Sequence, residues 1–196
     1  DFDIPNIQIH LHKVIPIHSG LGGGSANAVF MIKVLNKLFN LKLNNSQYLQ
    51  YANILGSDCP FFVINKSALV SGRGDIVHPV DFSISHYKII IIKPTINCST
   101  KHIFNNHKAT HDRITLSKPG KNIEDWRCNI FNELELASFD LYPEIASVKK
   151  YLYDSGALYA SMTGSGSSVY GLFKREYVIH PYKKFDDWDR HNCILS

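Results

Sequence analysis

The chain has 196 residues, 44% of them hydrophobic, enough for one large domain or two small ones around a real core. Twenty-one Lys and Arg against 17 Asp and Glu leave a formal charge of +4, with no cluster of basic residues beyond short pairs such as Lys149-Lys150 and Lys183-Lys184. A nucleic-acid binder would cluster that charge, so nucleic acid is excluded as a partner, whereas a mildly basic balance suits small phosphorylated molecules.

In chain order, "IQIHLHKVI" (7–15) alternates Ile7, Ile9 and Leu11 with polar residues and predicts a half-buried strand ended by Pro16. The glycine run "GLGGGS" (20–25) follows. Behind it, Val29, Ile32, Leu35, Leu38 and Phe39 recur at helical spacing and predict an amphipathic helix. A second helix is expected over 46–55, with Leu49, Ala52 and Leu55 inward and Gly56 as its stop. "CPFFVIN" and "SALVSG" are expected to form a strand pair turning at Asn65-Lys66, and "YKIIIIKP" a buried strand. Helices are expected near 100–106, 123–138 and 144–154, with a loop over 107–122. "LYASMTGSGSSVYGLF" predicts strand, glycine turn, strand, and a boundary is expected near 82–87.

Cys59, Cys98, Cys128 and Cys193 lie far apart with no C-x-x-C pair, which argues against a zinc site and fits a reducing compartment. His10 and His12 share one face of the expected strand, but no third ligand lies near them, so no metal site is assigned to the protein itself. No apolar run reaches the ~18 residues of a membrane span, and the first residues do not resemble a signal peptide. The expectation is a soluble cytoplasmic protein. Its first residue is not Met, so a preceding segment is also expected.

A strand, a glycine-rich turn and a helix start together predict a phosphate site. Without Cβ atoms the backbone reaches positive φ and brings its N–H groups against an anion, and the helix N-terminus adds donors and partial positive charge. Ser25 stands where an N-cap or a magnesium-facing hydroxyl is expected. "GLGGGSA" lacks the Lys-Ser/Thr ending of a Walker loop, and its contiguous glycines differ from G-x-G-x-x-G. Taken singly, Asp58 in "LGSDCPFF" is as well read as a turn residue, and "MTGSGSS" (162–168) as a hairpin.

Together, "P-x-x-x-GLGGGS-A-N-A", "GSDCPFF" and "MTGSGSSVYGLF", in that order, resemble the GHMP kinase superfamily. "SGRGD" (71–75), "IKPTINCSTKHIF" (92–104) and "NELE" (132–135) point to its branch acting on a cytidine-diphosphate-linked polyol in non-mevalonate isoprenoid synthesis. The resemblance covers residues 7 to about 175. It implies an α+β, two-domain fold: an incomplete N-terminal, ATP-binding domain over 1–82 and a ferredoxin-like α/β sandwich over 83–196. It implies ATP and Mg²⁺ as cofactors and phosphoryl transfer to the 2-hydroxyl of a small-molecule acceptor. Pro16, Ile17, His18, Ser19, Gly20, Leu21, Gly22, Gly23, Gly24, Ser25 and Ala26 would wrap the ATP phosphates, and Asp58 would be the catalytic carboxylate. Thr100 and Phe104 would contact the cytidine end, and Gly164, Ser165 and Gly166 would close against the substrate.

Three departures stand out. His18 and Ser19 replace small residues, and Asp75 replaces a usual Glu. The family's catalytic lysine comes from an earlier segment with no counterpart here, so the chain alone is expected to be marginally soluble and slow compared with an extended one. A non-catalytic nucleotide-binding relative, and a kinase of the same superfamily for another small alcohol, stay open as alternatives.

Overall fold

The computed structural model describes residues 1–108 and 122–178, together with the backbone of strand residues 189–194. Most of the loop expected over 107–122, and the Lys183-Lys184 pair, lie outside the described residues. Two compact units make up the chain: 1–15 with 22–82, and 16–21 with 83–196.

In the first unit, α1 (Gly23–Leu38), α2 (Asn45–Leu55) and α3 (Cys59–Ile64) precede a hairpin of β1 (Ala68–Ser71) and β2 (Ile76–Pro79). Helix α2 starts one residue before the expected bound because Asn44 and Gln47 form a capping box, each side chain bonding the other's backbone N–H at 3.0 Å. Val29, Ala52 and Cys59, one residue from each helix, form the buried centre, with Phe62 and Val63 against it. Lys33 of α1 donates to the Phe62 carbonyl of α3 at 3.2 Å.

Three expectations for this unit are corrected. Residues 7–15 form no strand: the alternation is present, but they find no ladder partner among the described residues, and Ile9 and Leu11 are more than half exposed. "CPFFVI" is a helix, because Pro60 sits in its first turn, where a missing N–H costs nothing, and Asn65 ends it in the left-handed region at φ 50°. β1 therefore pairs with β2, register Val70↔Val77, and "GRGD" makes the turn. The inward stripe is also narrower than expected, since Leu38 and Leu55 are exposed.

The second unit is a four-stranded antiparallel sheet of β3 (Tyr87–Lys93), β4 (Tyr159–Met162), β5 (Val169–Lys174) and β6 (Asp189–Ile194), in the order β4-β5-β3-β6. Counted along the chain, that is second, third, first, fourth, the order of a ferredoxin-like sheet. Between β3 and β4 run α4 (Thr100–Asn106), a 3₁₀ turn (Ile123–Asp125), α5 (Trp126–Asn129), α6 (Leu134–Leu141) and α7 (Pro143–Asp154). The single helix expected over 123–138 is thus three pieces, interrupted at 130–133, where Asn132 takes up side-chain bonds described below. Helix α7 lays Ile145, Val148 and Leu152 on the sheet, where they join Ile90, Ile92, Met162, Val169 and Phe173 in the core. That packing holds the β4–β5 turn, residues 163–168, at one end of a rigid layer.

Candidate active site

The glycine run divides into two parts with different jobs. Residues 16–21 pack on the β4–β5 turn of the second unit. Ser19 is buried, its carbonyl accepts from the Ser168 N–H at 3.2 Å, and the Gly20 carbonyl accepts from the Thr163 hydroxyl. Gly20, at φ 74°, is pressed backbone to backbone: a Cβ there would lie 2.3 Å from the Thr163 carbonyl oxygen and 2.8 Å from that of Gly166. Gly164 answers from the other side, where a Cβ would meet the Gly20 oxygen at 3.2 Å. The two glycine-rich stretches that the sequence set far apart are therefore in direct contact.

From Gly22 onward the run belongs to the first unit. Gly22, at φ 67°, is the N-cap of α1, and a Cβ on it would stand 2.9 Å from the Phe62 ring. The first intrahelical bond runs from the Ala26 N–H to the Gly22 carbonyl at 2.9 Å, which leaves the N–H groups of Gly23, Gly24 and Ser25 without helical acceptors. Ser25 is accordingly inside the first turn of α1, not at its N-cap as expected from sequence. Positive φ falls on His18, Gly20 and Gly22, every second residue, and not on Gly23 or Gly24. Those two glycines have no atom within 4 Å of a would-be Cβ, so nothing in the protein crowds out a side chain there. His18 adopts φ 54°, a region that glycine tolerates far better than a residue with a Cβ.

Asp58 stands at the N-cap of α3 but makes no capping bond, and its exposed carboxylate has no hydrogen-bond partner among the described residues. It faces the β1–β2 turn: a Cβ on Gly74 would lie 3.1 Å from the Asp58 Oδ1. "GSDCP" and "SGRGD" are thus one local structure. Asp75 closes that turn by accepting from the Arg73 N–H at 2.9 Å, and this bond, then its own N–H, holds its carboxyl below the usual carboxylate range. An aspartate is the right length to close such a turn.

In the second unit, Ser99 caps α4, and Thr100 at its first position shares a hydrogen bond of 2.9 Å with the Ser165 hydroxyl of the glycine turn. Phe104, one turn further along the same helix, is 58% exposed and free to contact a ligand. Ser167 donates to the Ile96 carbonyl at 3.0 Å, and buried Lys93 donates to those of Pro94 and Ile96. These bonds fix the approach to α4.

Sequence reasoning noticed "NELE" without assigning work to it. Asn132 donates to the Met162 carbonyl at 3.0 Å and to the Gly164 carbonyl at 2.7 Å. Glu135, buried in α6, accepts from the Met162 N–H at 2.7 Å and the Ser161 hydroxyl at 3.2 Å, and pairs with Lys149. An Asn three residues before a Glu, just ahead of a helix, was the available signal. Removing one partner of such a buried pair commonly costs about 3–5 kcal/mol. Glu135→Ala is expected to lower stability by about that amount in denaturant unfolding, and unchanged stability would show that the network is idle.

Among the described residues, no group of three His, Cys, Asp or Glu is placed to hold a metal, and no helix is long and apolar enough to cross a membrane.

Two family models match the chain. The GHMP kinases N terminal domain matches residues 1–66, and the GHMP kinases C terminal domain matches 113–179. A 4-diphosphocytidyl-2-C-methyl-D-erythritol kinase of Azobacteroides pseudotrichonymphae is 42% identical over 198 residues, covering 98% of this chain and 72% of that protein. The chain belongs to this family of GHMP kinases. The Bacteroides fragilis kinase of the same name is 44% identical over 180 residues, covering 91% of this chain; the chain spans 66% of that relative's length. A crystal structure of 4-(cytidine 5'-diphospho)-2C-methyl-D-erythritol kinase superposes with a TM-score of 0.65 at 26% identity, covering 82% of this chain and 59% of that one. The homoserine kinase of Cytophaga hutchinsonii, at 23% identity and a TM-score of 0.59, shares the GHMP kinase fold.

Proposed function

We propose that the chain carries out ATP-dependent phosphorylation of the 2-hydroxyl of 4-diphosphocytidyl-2-C-methyl-D-erythritol, with 1–82 as the nucleotide-binding domain and 83–196 as the second domain. The observation that carries this reading is the start of α1. Three first-turn N–H groups stand without helical acceptors beneath two glycines that no protein atom crowds. Glycine in a helix costs about 1 kcal/mol relative to alanine, so the missing side chains at 23 and 24 serve something other than α1 itself. An anion held by those amides and the helix dipole is that something.

Phosphoryl transfer demands positioning and charge neutralisation more than covalent chemistry. The stretch Pro16–Ala26 holds the ATP phosphates. Mg²⁺ keeps much of its water and is bound largely through substrate phosphates, which suits a protein without a carboxylate cage among its described residues. The Ser25 hydroxyl is the protein group we assign to it, and the ion supplies charge neutralisation on the triphosphate. Asp58, whose carboxylate is not spent on α3, orients the acceptor hydroxyl and takes its proton. Thr100 and Phe104 receive the cytidine end, and Gly164, Ser165 and Gly166 lie against the acceptor. Three free thiols, Cys59, Cys98 and Cys128, fit a cytoplasmic setting.

The reading is tested by incubating the chain with ATP, Mg²⁺ and the cytidine substrate and following the 2-phosphate by ³¹P NMR. Product with this acceptor, and none with homoserine or mevalonate, is the expected result, and the reverse preference would overturn it. Phe104→Ala is expected to weaken the cytidine substrate by about 1–3 kcal/mol, the usual worth of base stacking, in isothermal titration. An unchanged affinity would remove Phe104 from the site.

A further inference from the structure

We infer that Asn132 is a positioning residue for the acceptor, acting by aiming the Ser165 N–H at a phosphate oxygen of the cytidine diphosphate group. The inference rests on the kinase reading above and adds to it a residue and a donor.

One side-chain amide bridges two carbonyls, of Met162 and Gly164, on alternate residues of the glycine turn. In a trans peptide the N–H points away from the C=O of the preceding residue. Pinning the Met162 carbonyl therefore sends the Thr163 N–H to the opposite side, where it meets the Ser168 carbonyl at 3.0 Å. Pinning the Gly164 carbonyl does the same to the Ser165 N–H, but there no acceptor waits among the described residues. The next amide, Gly166, is spent inside the turn on the Thr163 carbonyl at 3.0 Å. Ser165 thus presents a fixed, unspent N–H beside its own hydroxyl, which is tied to Thr100. Thr100 lies one helical turn from Phe104, so the donor stands on the side of the unit where the cytidine end is received. Backbone N–H groups held in advance are how proteins stabilise phosphate oxygens without reorganisation.

Asn132 has a second bond that makes its role separable. Its Oδ1 accepts from the Leu134 N–H at 3.0 Å and helps start α6. Asn132→Asp keeps that acceptor and loses both donations, while Asn132→Ala loses all three. The probes are cytidine diphosphate and ATP, titrated separately into the parent and both variants. Thermal unfolding and the Ser165 amide resonance are recorded alongside. The expected result is a fall in cytidine diphosphate affinity of about tenfold or more in both variants, with ATP affinity held and a ligand-induced Ser165 shift in the parent alone. Retained affinity in Asn132→Asp would overturn the inference and reduce Asn132 to a helix cap, as would equal losses for ATP. A parent that binds cytidine diphosphate but never phosphorylates its methylerythritol conjugate would overturn the kinase reading, while the affinity series still decides Asn132.

Discussion

Gly20→Ala is expected to abolish the thermal protection that ATP gives this chain and to lower turnover by about 10²–10³-fold. Two costs coincide at this residue. The backbone sits at φ 74°, and a Cβ would enter within 2.3 Å of one carbonyl oxygen and 2.8 Å of another. Both obstacles are main chain, in a turn anchored by Asn132 and Ser168, so neither can rotate aside. Residues 16–21 must lift off, and the bonds from Thr163 to Gly20 and from Ser168 to Ser19 go with them. A loss of about 2–4 kcal/mol in stability follows from overpacking and strain of this kind. Gly24→Ala is the informative contrast. With no neighbour within 4 Å and a helical backbone, it is expected to stabilise the ligand-free chain by up to about 1 kcal/mol while weakening ATP. Unfolding curves with and without ATP separate the two effects, and a Gly20→Ala chain that melts and responds like the parent would refute the account of the loop.

Asp58→Asn is expected to cut kcat by roughly 10²–10⁴-fold while ATP affinity stays within a few-fold. The amide keeps the size and the N-cap position but cannot accept a proton from the acceptor hydroxyl. Stability is expected to change little, because the carboxylate makes no capping bond for α3. Single-turnover kinetics beside equilibrium ATP binding provide the check. Parallel losses in both would reassign Asp58 to the nucleotide or its metal.

Much of this arrangement was legible in the residues. The helix at 45–55, the buried strand 87–93 and the strand–turn–strand ending near 174 follow from periodicity and glycine placement. "CPFFVI" misled because six apolar residues fit either period, and only the proline in its first turn tips them to a helix. The alternation at 7–15 is a real strand pattern, but a strand is defined by its neighbour, and composition does not supply one. Within the proposed site, the glycines predict an anion loop but not which of them carry positive φ. That depended on where α1 starts, and the helix begins two residues before Ser25. Asn132 and Glu135 left only the weak Asn-to-Glu spacing as a signal, because much of what they bond is main chain at Met162 and Gly164, some thirty residues on. Main-chain partners leave no mark in a sequence.

The sheet order has a consequence for how the second unit is made. Ile89 of β3 has Leu172 on one side and Cys193 on the other, so the middle strand emerges first and both of its neighbours emerge last. Until then its four consecutive isoleucines, Ile89–Ile92, have no ladder to join. Closing such distant pairs is entropically late, which places this unit among slow folders and leaves an adhesive segment uncovered during synthesis. Growth temperature and chaperone supply should therefore govern the yield of active protein more strongly than its equilibrium stability does.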